Sequence, residues 1–313
     1  MKLPVYIVIC LIWGSTWLAI KIGLSGAPPL YSLSLRFLLA VGILWAIAHI
    51  KGYRFPEGRR RILKTAYPGL YMYGVSYALI YFAEQYIDSS LTAVLFGSFP
   101  FFVAALTHWR LKAERLTGLA WIGLVVGFGG VVLISYHQWQ LAGDLFLGTL
   151  LALGGSYAAA HGIVLHKKHF VEENIVIAVL LQMALGGIPL VLAALVFESV
   201  SDLAVSLETV GSIIYLAVFG SVLAFLGYYW LLKRTTVVNV SLIGFVTPLV
   251  AIFFGSVLAE ERLTLMVGLG TAMILSGILL VVRRSEKAAG PKGVAATAHR
   301  PAPGRTAPGE SET

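Results

Sequence analysis

The chain has 313 residues, of which 12% are charged and 58% apolar, with a mean hydropathy of +0.85. A soluble protein carries about 25% charged residues, so this chain cannot cover its apolar surface with polar groups, and lipid must be its solvent over most of its area. A single cysteine, Cys10, excludes an intrachain disulfide, a zinc cluster and thiol-pair chemistry. The formal charge of +8 is a topology signal rather than a nucleic-acid footprint, because most basic residues flank apolar runs.

Ten apolar runs follow in chain order: residues 4–22, 30–50, 66–86, 90–109, 119–135, 145–165, 175–197, 210–232, 240–258 and 265–282. Each can cross ~30 Å of hydrocarbon at ~1.5 Å per residue. Connections are short, so neighbours are expected to be antiparallel. Lys2 and Ser25-Gly26-Ala27 resemble the flanks of a signal peptide. The first run is longer than a typical signal h-region and nine more follow, so it is read as a retained span.

Alternate loops divide the basic residues sharply. One side collects 20 of the 23, including Lys51, Arg54, Arg59, Arg60, Arg61 and Lys64 after the second run. The other side holds Lys21 and Arg262, and Arg36 lies within a run. The positive-inside rule makes the rich side cytoplasmic, and an even number of spans puts both termini there. Residues 285–313 are rich in Ala, Pro, Gly and Thr without apolar periodicity, and read as a disordered cytoplasmic tail.

The chain repeats itself. Residues 89–135 laid over 236–282 at an offset of 147 match at 12 of 47 positions. The matches include Glu114-Arg115-Leu116-Thr117 over Glu261-Arg262-Leu263-Thr264, and Gly97, Gly123 and Gly130 over Gly244, Gly270 and Gly277. A charged tetrapeptide at one helix junction is not a chance match between apolar helices. The unit therefore has five spans, residues 4–135 and 145–283. Five is odd, so the second copy enters the membrane inverted. The expected fold is an all-α polytopic membrane protein, ten transmembrane helices as two inverted five-helix repeats. Such repeats place a substrate site near the midplane, at their interface, and permit alternating access.

These features together resemble the EamA family of the drug/metabolite transporter superfamily. The resemblance rests on Trp13-Gly14-Ser15-Thr16-Trp17 with Lys21, Pro28-Pro29, Arg36-Phe37-Leu38-Leu39-Ala40, Glu84-Gln85, Pro100, Pro248 and the two Glu-Arg-Leu-Thr blocks, across residues 5–284. It implies transport of small metabolites, often export of amino acids or related compounds, without nucleotide hydrolysis. It carries over no single substrate site.

Candidate substrate-binding residues come from cost and position. An ionisable group within a span costs at least ~2.5 kcal/mol on insertion scales, so each needs a reason. Arg36 in the second run and Glu84 near the end of the third lie in the same half of the membrane and can pair, as a clamp on a zwitterion or as a structural bridge. Lys21 is expected to snorkel to the interface. His161 and Gln182 are candidates for substrate hydrogen bonds or for helix packing; Glu84 and His161 are the candidates for proton coupling, with an uncoupled facilitator as the alternative. Tyr73, Tyr77 and Tyr81 share one helix face. With Trp13, Trp17, Tyr157, Tyr228, Tyr229 and Trp230 they suit an apolar or aromatic solute, and Thr16 is a further candidate contact. Pro100 and Pro248 each remove a helix hydrogen bond and are expected to kink their runs near the site. Gly69, Gly74, Gly123, Gly127, Gly130, Gly270 and Gly277 let helices approach closely. Substrate is expected to touch runs one, three, four, six, eight and nine.

No Walker-type loop, His-Glu-x-x-His or G-x-S-x-G elbow is present, so an enzyme is not expected, and neither a cofactor nor a metal is implied. The expected partners are a small-molecule substrate and the lipid bilayer, with no nucleic acid. Lipophilic drugs are the second substrate class. A receptor or assembly protein would need an effector domain or long loops, and only the tail offers either.

Overall fold

The computed structural model describes residues 2–110, 118–141, 143–169, 173–235, 237–241, 243–259 and 264–288. The block 114–117, residues 261–263 of its counterpart, and the tail beyond residue 288 lie outside them. Every regular element among the described residues is helical. They are α1 (Lys2–Leu24), α2 (Pro29–Ile50), α3 (Arg59–Ala66), α4 (Ser76–Tyr86), α5 (Ser89–Phe96), α6 (Phe99–Arg110), α7 (Gly118–Leu141) and α8 (Gly143–His169). There follow α9 (Ile175–Phe197), α10 (Leu207–Tyr215), α11 (Ala224–Leu232), α12 (Val237–Ser241), α13 (Ile243–Leu258) and α14 (Leu265–Ala288). A short 3₁₀ turn, Val200–Asp202, precedes α10.

Among the described residues, six stretches are long and apolar enough to cross a membrane: Lys2–Leu24, Pro29–Ile50, Ser89–Arg110, Gly143–Lys168, Ile175–Phe197 and Leu207–Leu232. Shorter apolar helices are Trp121–Leu133, Val246–Leu258 and Leu265–Gly277. The last helix continues to Ala288, past the point where the sequence suggested a structureless tail.

Two runs contain π-helical turns. Leu70–Val75 joins α3 to α4, and Leu216–Leu223 joins α10 to α11. Shifted by the repeat offset of 147, the first covers residues 217–222, inside the second. Such turns widen the helix by one residue, and they occur frequently at functional sites.

The packing carries the same correspondence. The first run packs on the ninth (α1 on α13) and the sixth on the fourth (α8 on α5 and α6). The sixth packs on the third (α8 on α4) and the first on the eighth (α1 on α10 and α11). The second lies on the π turn of the eighth, and the seventh on that of the third. Second with seventh, fourth with ninth, and fifth with tenth pair directly. Exchanging the halves leaves this set unchanged.

Glycines set the closest of these approaches. A methyl group on Gly186 of α9 would lie 2.9 Å from the Gly74 nitrogen. One on Gly130 of α7 would lie 2.5 Å from the Gly270 carbonyl oxygen, and one on Gly277, its repeat counterpart, 2.6 Å from the Gly127 nitrogen. Without a hydrophobic force between helices in lipid, such contact is what holds them.

The fourth run corrects one expectation. It is interrupted at Gly97–Ser98, and Pro100 is the second residue of α6; the Phe96 carbonyl, which Pro100 cannot bond, accepts from Ser156 Oγ at 3.3 Å instead. Pro100 therefore starts a helix rather than kinking one. Pro248 does lie inside α13. The two rings pack crosswise: a methyl on Gly97 would meet Pro248 Cγ at 3.3 Å, and one on Gly244 would meet Pro100 Cγ at 3.5 Å.

Lys21 corrects another. Its Nζ donates to the carbonyl oxygens of Glu84 and Ile87, at 2.9 and 3.0 Å, closing the C-terminal end of α4. Lys167 does the same for α11, donating to Leu232 and Thr235 at 2.8 and 3.2 Å. A cation at a helix C-terminus meets the last carbonyls and the dipole together.

Gly186→Leu is expected to destabilise the protein by at least ~1–3 kcal/mol, because backbone faces it and cannot yield. Gly42→Ala, with nothing within 4 Å of the added methyl, is expected to stabilise α2 by up to ~1 kcal/mol. Thermal midpoints of the two variants in detergent micelles check both; equal shifts would refute the close-contact reading. Lys21→Met is expected to cost ~1–2 kcal/mol in the same assay.

Candidate substrate cavity

A cavity open to the outside of the molecule lies between the halves. Six runs line it: the first through Trp13, Thr16, Trp17 and Ile20, and the third through Met72, Ser76, Tyr77 and Ile80. The fourth adds Phe96 and Phe99, the sixth Ala159, the eighth Phe225 and Tyr228, and the ninth Ile243, Gly244 and Thr247. Both halves contribute aromatic rings, and no charged side chain belongs to the lining.

The rings form two groups, Trp13 with Phe225, Tyr228 and Tyr77, and Trp17 with Phe96 and Phe99. The Trp13 indole lies 5.1 Å from the rings of both Phe225 and Tyr228, and Trp17 lies 5.2 Å from Phe96. Trp13 Nε1 donates to the Gly220 carbonyl at 3.1 Å, which ties the wall to the π turn of the eighth run. Thr16 Oγ1 donates to the Trp13 carbonyl at 2.8 Å. Two polar groups on lining residues, Trp17 Nε1 and Tyr228 OH, are buried and have no protein hydrogen-bond partner. Buried polar atoms are rarely left so. A wall of rings with such groups on it suits an apolar or aromatic solute bearing few polar groups.

Arg36 stands behind this wall, 1% exposed. Its Nε donates to Ser221 Oγ at 2.9 Å and its Nη1 to Tyr81 OH at 3.3 Å. Its guanidinium carbon lies 4.6 Å from the Tyr77 ring centroid. The partners of Arg36 are thus Ser221 and Tyr81, and the pairing with Glu84 expected from sequence is replaced. Glu84 is buried one helical turn beyond Tyr81 on α4.

A second polar cluster lies apart from the cavity. Gln182 is fully buried. Its Nε2 is 3.0 Å from the Thr65 carbonyl, to which it donates, and 2.9 Å from His166 Nδ1. Its Oε1 accepts from Tyr229 OH at 2.5 Å. This is a packing network between the third, sixth, seventh and eighth runs. His161 is elsewhere, 3.3 Å from Arg110 Nη1 and tilted against the Tyr71 ring at 4.5 Å. Tyr157 is 46% exposed and packs edge-on against Phe102.

Of the residues singled out in the sequence, Trp13, Thr16, Tyr77 and Tyr228 line the cavity. Arg36 and Tyr81 lie just behind it, Pro100 and Pro248 pack beside its Gly244 wall, and Glu84, Tyr157, His161 and Gln182 do not line it. Trp17, also named among the aromatics, lines it too; sequence reasoning missed Phe96, Phe99, Phe225 and Thr247 as lining residues, and Ser221 and His166 as polar partners. A signal for His166 existed: Ala152, Ser156, Ala159, Ile163 and His166 are all at most 5% exposed and fall on one face of α8, which His161 does not share.

Residues 3–136 and 146–283 both match the EamA-like transporter family. The chain belongs to that family. A relative in Escherichia coli strain K12, named uncharacterized inner membrane transporter YedA, is 29% identical over 272 residues, 87% of each chain. An uncharacterized transporter of Archaeoglobus fulgidus is 29% identical, covering 87% of this chain and 95% of its own. The uncharacterized transporter YoaV of Bacillus subtilis is 25% identical over 274 residues, 87% and 93% of the two chains. A solved crystal structure superposes with a TM-score of 0.68 at 16% identity over 91% of this chain and 98% of that one; the likeness is one of fold alone. The EamA-like chain is accordingly a membrane transporter by family.

Gln182→Leu is expected to strand the Thr65 carbonyl and leave Tyr229 OH only Met72 Sδ, at 3.6 Å, in the interior of this EamA-like fold. The expected cost is about 1–3 kcal/mol for each buried group left unmatched. A fall in the thermal midpoint of the purified protein checks it; an unchanged midpoint would show that the cluster carries little of the packing.

Proposed function

We propose that the protein is an exporter of small metabolites in the cell membrane, with both termini cytoplasmic, working by alternating access of two inverted five-helix halves around the aromatic cavity. One observation carries this reading: the cavity between the halves is walled by rings from both, with polar groups on Trp17 and Tyr228 that the protein leaves unmatched. The halves' interchangeable contacts and their paired π turns support inversion, since an odd number of spans separates equivalent positions. Basic residues concentrated in alternate loops support the orientation.

The lining selects among small metabolites. It favours solutes with a planar or apolar body, so aromatic amino acids stand ahead of polar ones. The scarcity of polar lining atoms also favours a second reading, lipophilic drug-like compounds.

Counterflow in proteoliposomes tests the proposal. Vesicles loaded with unlabelled tryptophan, phenylalanine, serine or glutamate are given the labelled solute, with and without a pH gradient. Saturable counterflow of the aromatic pair, lowered at least tenfold by Trp13→Ala or Tyr77→Ala, is the expected result. Faster movement of serine or glutamate would remove the aromatic preference, and no movement of any would remove the amino-acid reading. Accumulation driven by the pH gradient and abolished by Glu84→Gln would assign proton coupling to that carboxyl.

A further inference from the structure

Arg36 has a problem that the cavity can solve. A cation inside a bilayer protein is costly unless an opposite charge or a full set of hydrogen bonds meets it. Arg36 is 1% exposed, and its hydrogen bonds go to two neutral hydroxyls, Ser221 and Tyr81. The ring faces of Tyr77 and Phe37 complete its surroundings, at 4.6 and 5.6 Å from the guanidinium carbon. No carboxylate among the described residues bonds to it.

Its position is equally specific. Tyr77 stacks on the guanidinium and also lines the cavity, so a single side chain joins the two. On the other flank Arg36 reaches the π turn of the eighth run. A methyl on Gly220 would lie 3.3 Å from Arg36 Nη2 and 2.8 Å from Thr16 Cγ2, and Thr16 is another lining residue. The guanidinium therefore lies one side-chain layer behind the lining, between Tyr77 and Gly220.

We propose that Arg36 binds the carboxylate of the transported solute, and that Tyr77 is the side chain that moves aside to admit it. This inference rests on the cavity being the transport site and narrows its substrate to small carboxylates with an apolar or aromatic body. A planar guanidinium grips a carboxylate through two parallel hydrogen bonds, and Lys cannot reproduce that fork. The aromatic wall accepts the body of the solute while the carboxylate replaces the hydroxyl partners of Arg36. A neutral hydroxyl shell suits this task. It holds the guanidinium in place when the site is empty and is displaced more easily than a resident carboxylate would be.

Isothermal titration of the purified full-length protein in detergent, with three probes, tests it: 3-phenylpropionate, its amide 3-phenylpropanamide, and phenylalanine. The two carboxylates are expected to bind at least tenfold more tightly than the amide. Arg36→Gln is expected to abolish that preference, and Arg36→Lys to retain only part of it. Unchanged binding of the amide by Arg36→Gln shows that the variant is folded, which guards against misreading a loss of structure. Equal binding of acid and amide by the native protein would overturn the inference and leave the cavity reading standing. So would a preference that survives Arg36→Gln. If none of the three probes binds, the inference and the aromatic-solute reading fall together.

Discussion

Inside a bilayer a helix can be interrupted only where something replaces the hydrogen bonds it loses. The site depends on that constraint. The fourth run breaks at Gly97–Ser98, and the Phe96 carbonyl at the break accepts from Ser156 at 3.3 Å. The eighth run widens at its π turn, and the Gly220 carbonyl accepts from Trp13. Lys21 and Lys167 close the ends of α4 and α11 in the same way. The irregularities at Phe96 and Gly220 border the cavity, and their partners come from other runs: Ser156 from the sixth, Trp13 from the first. The space for a solute thus arises where helical regularity is given up, and the side chains that permit this tie the two halves to each other.

The same constraint explains what the sequence disclosed. Apolar runs and charged junctions were legible because lipid leaves no other way to satisfy the backbone. Glycine pairs such as Gly130 and Gly277 were legible because close approach demands them at both copies. The set of runs around the cavity followed from repeat symmetry. The π turns were not legible. Leu-Tyr-Met-Tyr-Gly-Val and Leu-Ala-Val-Phe-Gly-Ser-Val-Leu have the composition of any apolar helix, and one extra backbone residue leaves no side-chain signature. That omission hid Ser221, because a straight eighth helix gives no reason to aim its hydroxyl at Arg36. Pro100 was misread for a related reason: a proline looks the same in sequence whether it bends a helix or begins one. Lys21 was read as a lipid-interface residue because a carbonyl partner 63 positions away has no local signal.

The halves share a backbone plan but not its chemistry. The second run sends Arg36 onto the π turn of the eighth, a charged donor meeting hydroxyls next to the cavity. Near the equivalent position the seventh run carries Gln182, which passes the third run's π turn by backbone contact with Gly69 and turns its amide into the Thr65, His166 and Tyr229 network. One copy thus ends in a fully matched amide, a device for holding helices together. The other ends in a cation with only neutral partners, a device that gains from an arriving anion. In the proposed carrier this asymmetry has a use: the two halves exchange conformations while only the half with Arg36 grips the solute.

The ties between halves at the two ends of the bundle differ in kind. At the Lys21 end, the Glu198 carboxylate accepts from the backbone nitrogens of Leu30 and Tyr31 at 2.9 and 2.8 Å, capping α2, and the Ala204 nitrogen donates to the Gly26 carbonyl at 2.7 Å. At the Lys167 end, Arg61 pairs with Glu173 at 2.9 Å and Lys2 reaches the Arg234 carbonyl. The Arg61 side chain is 64% exposed, and an ion pair so placed is worth ~0–1 kcal/mol. A carboxylate closing a helix N-terminus with two backbone bonds is worth more, because breaking it strands donors that lipid cannot satisfy. The Lys167 end is not held by surface charge alone: the buried Gln182 amide donates to the Thr65 carbonyl there, and this bond, rather than the Arg61 pair, is the stronger tie between the halves at that end.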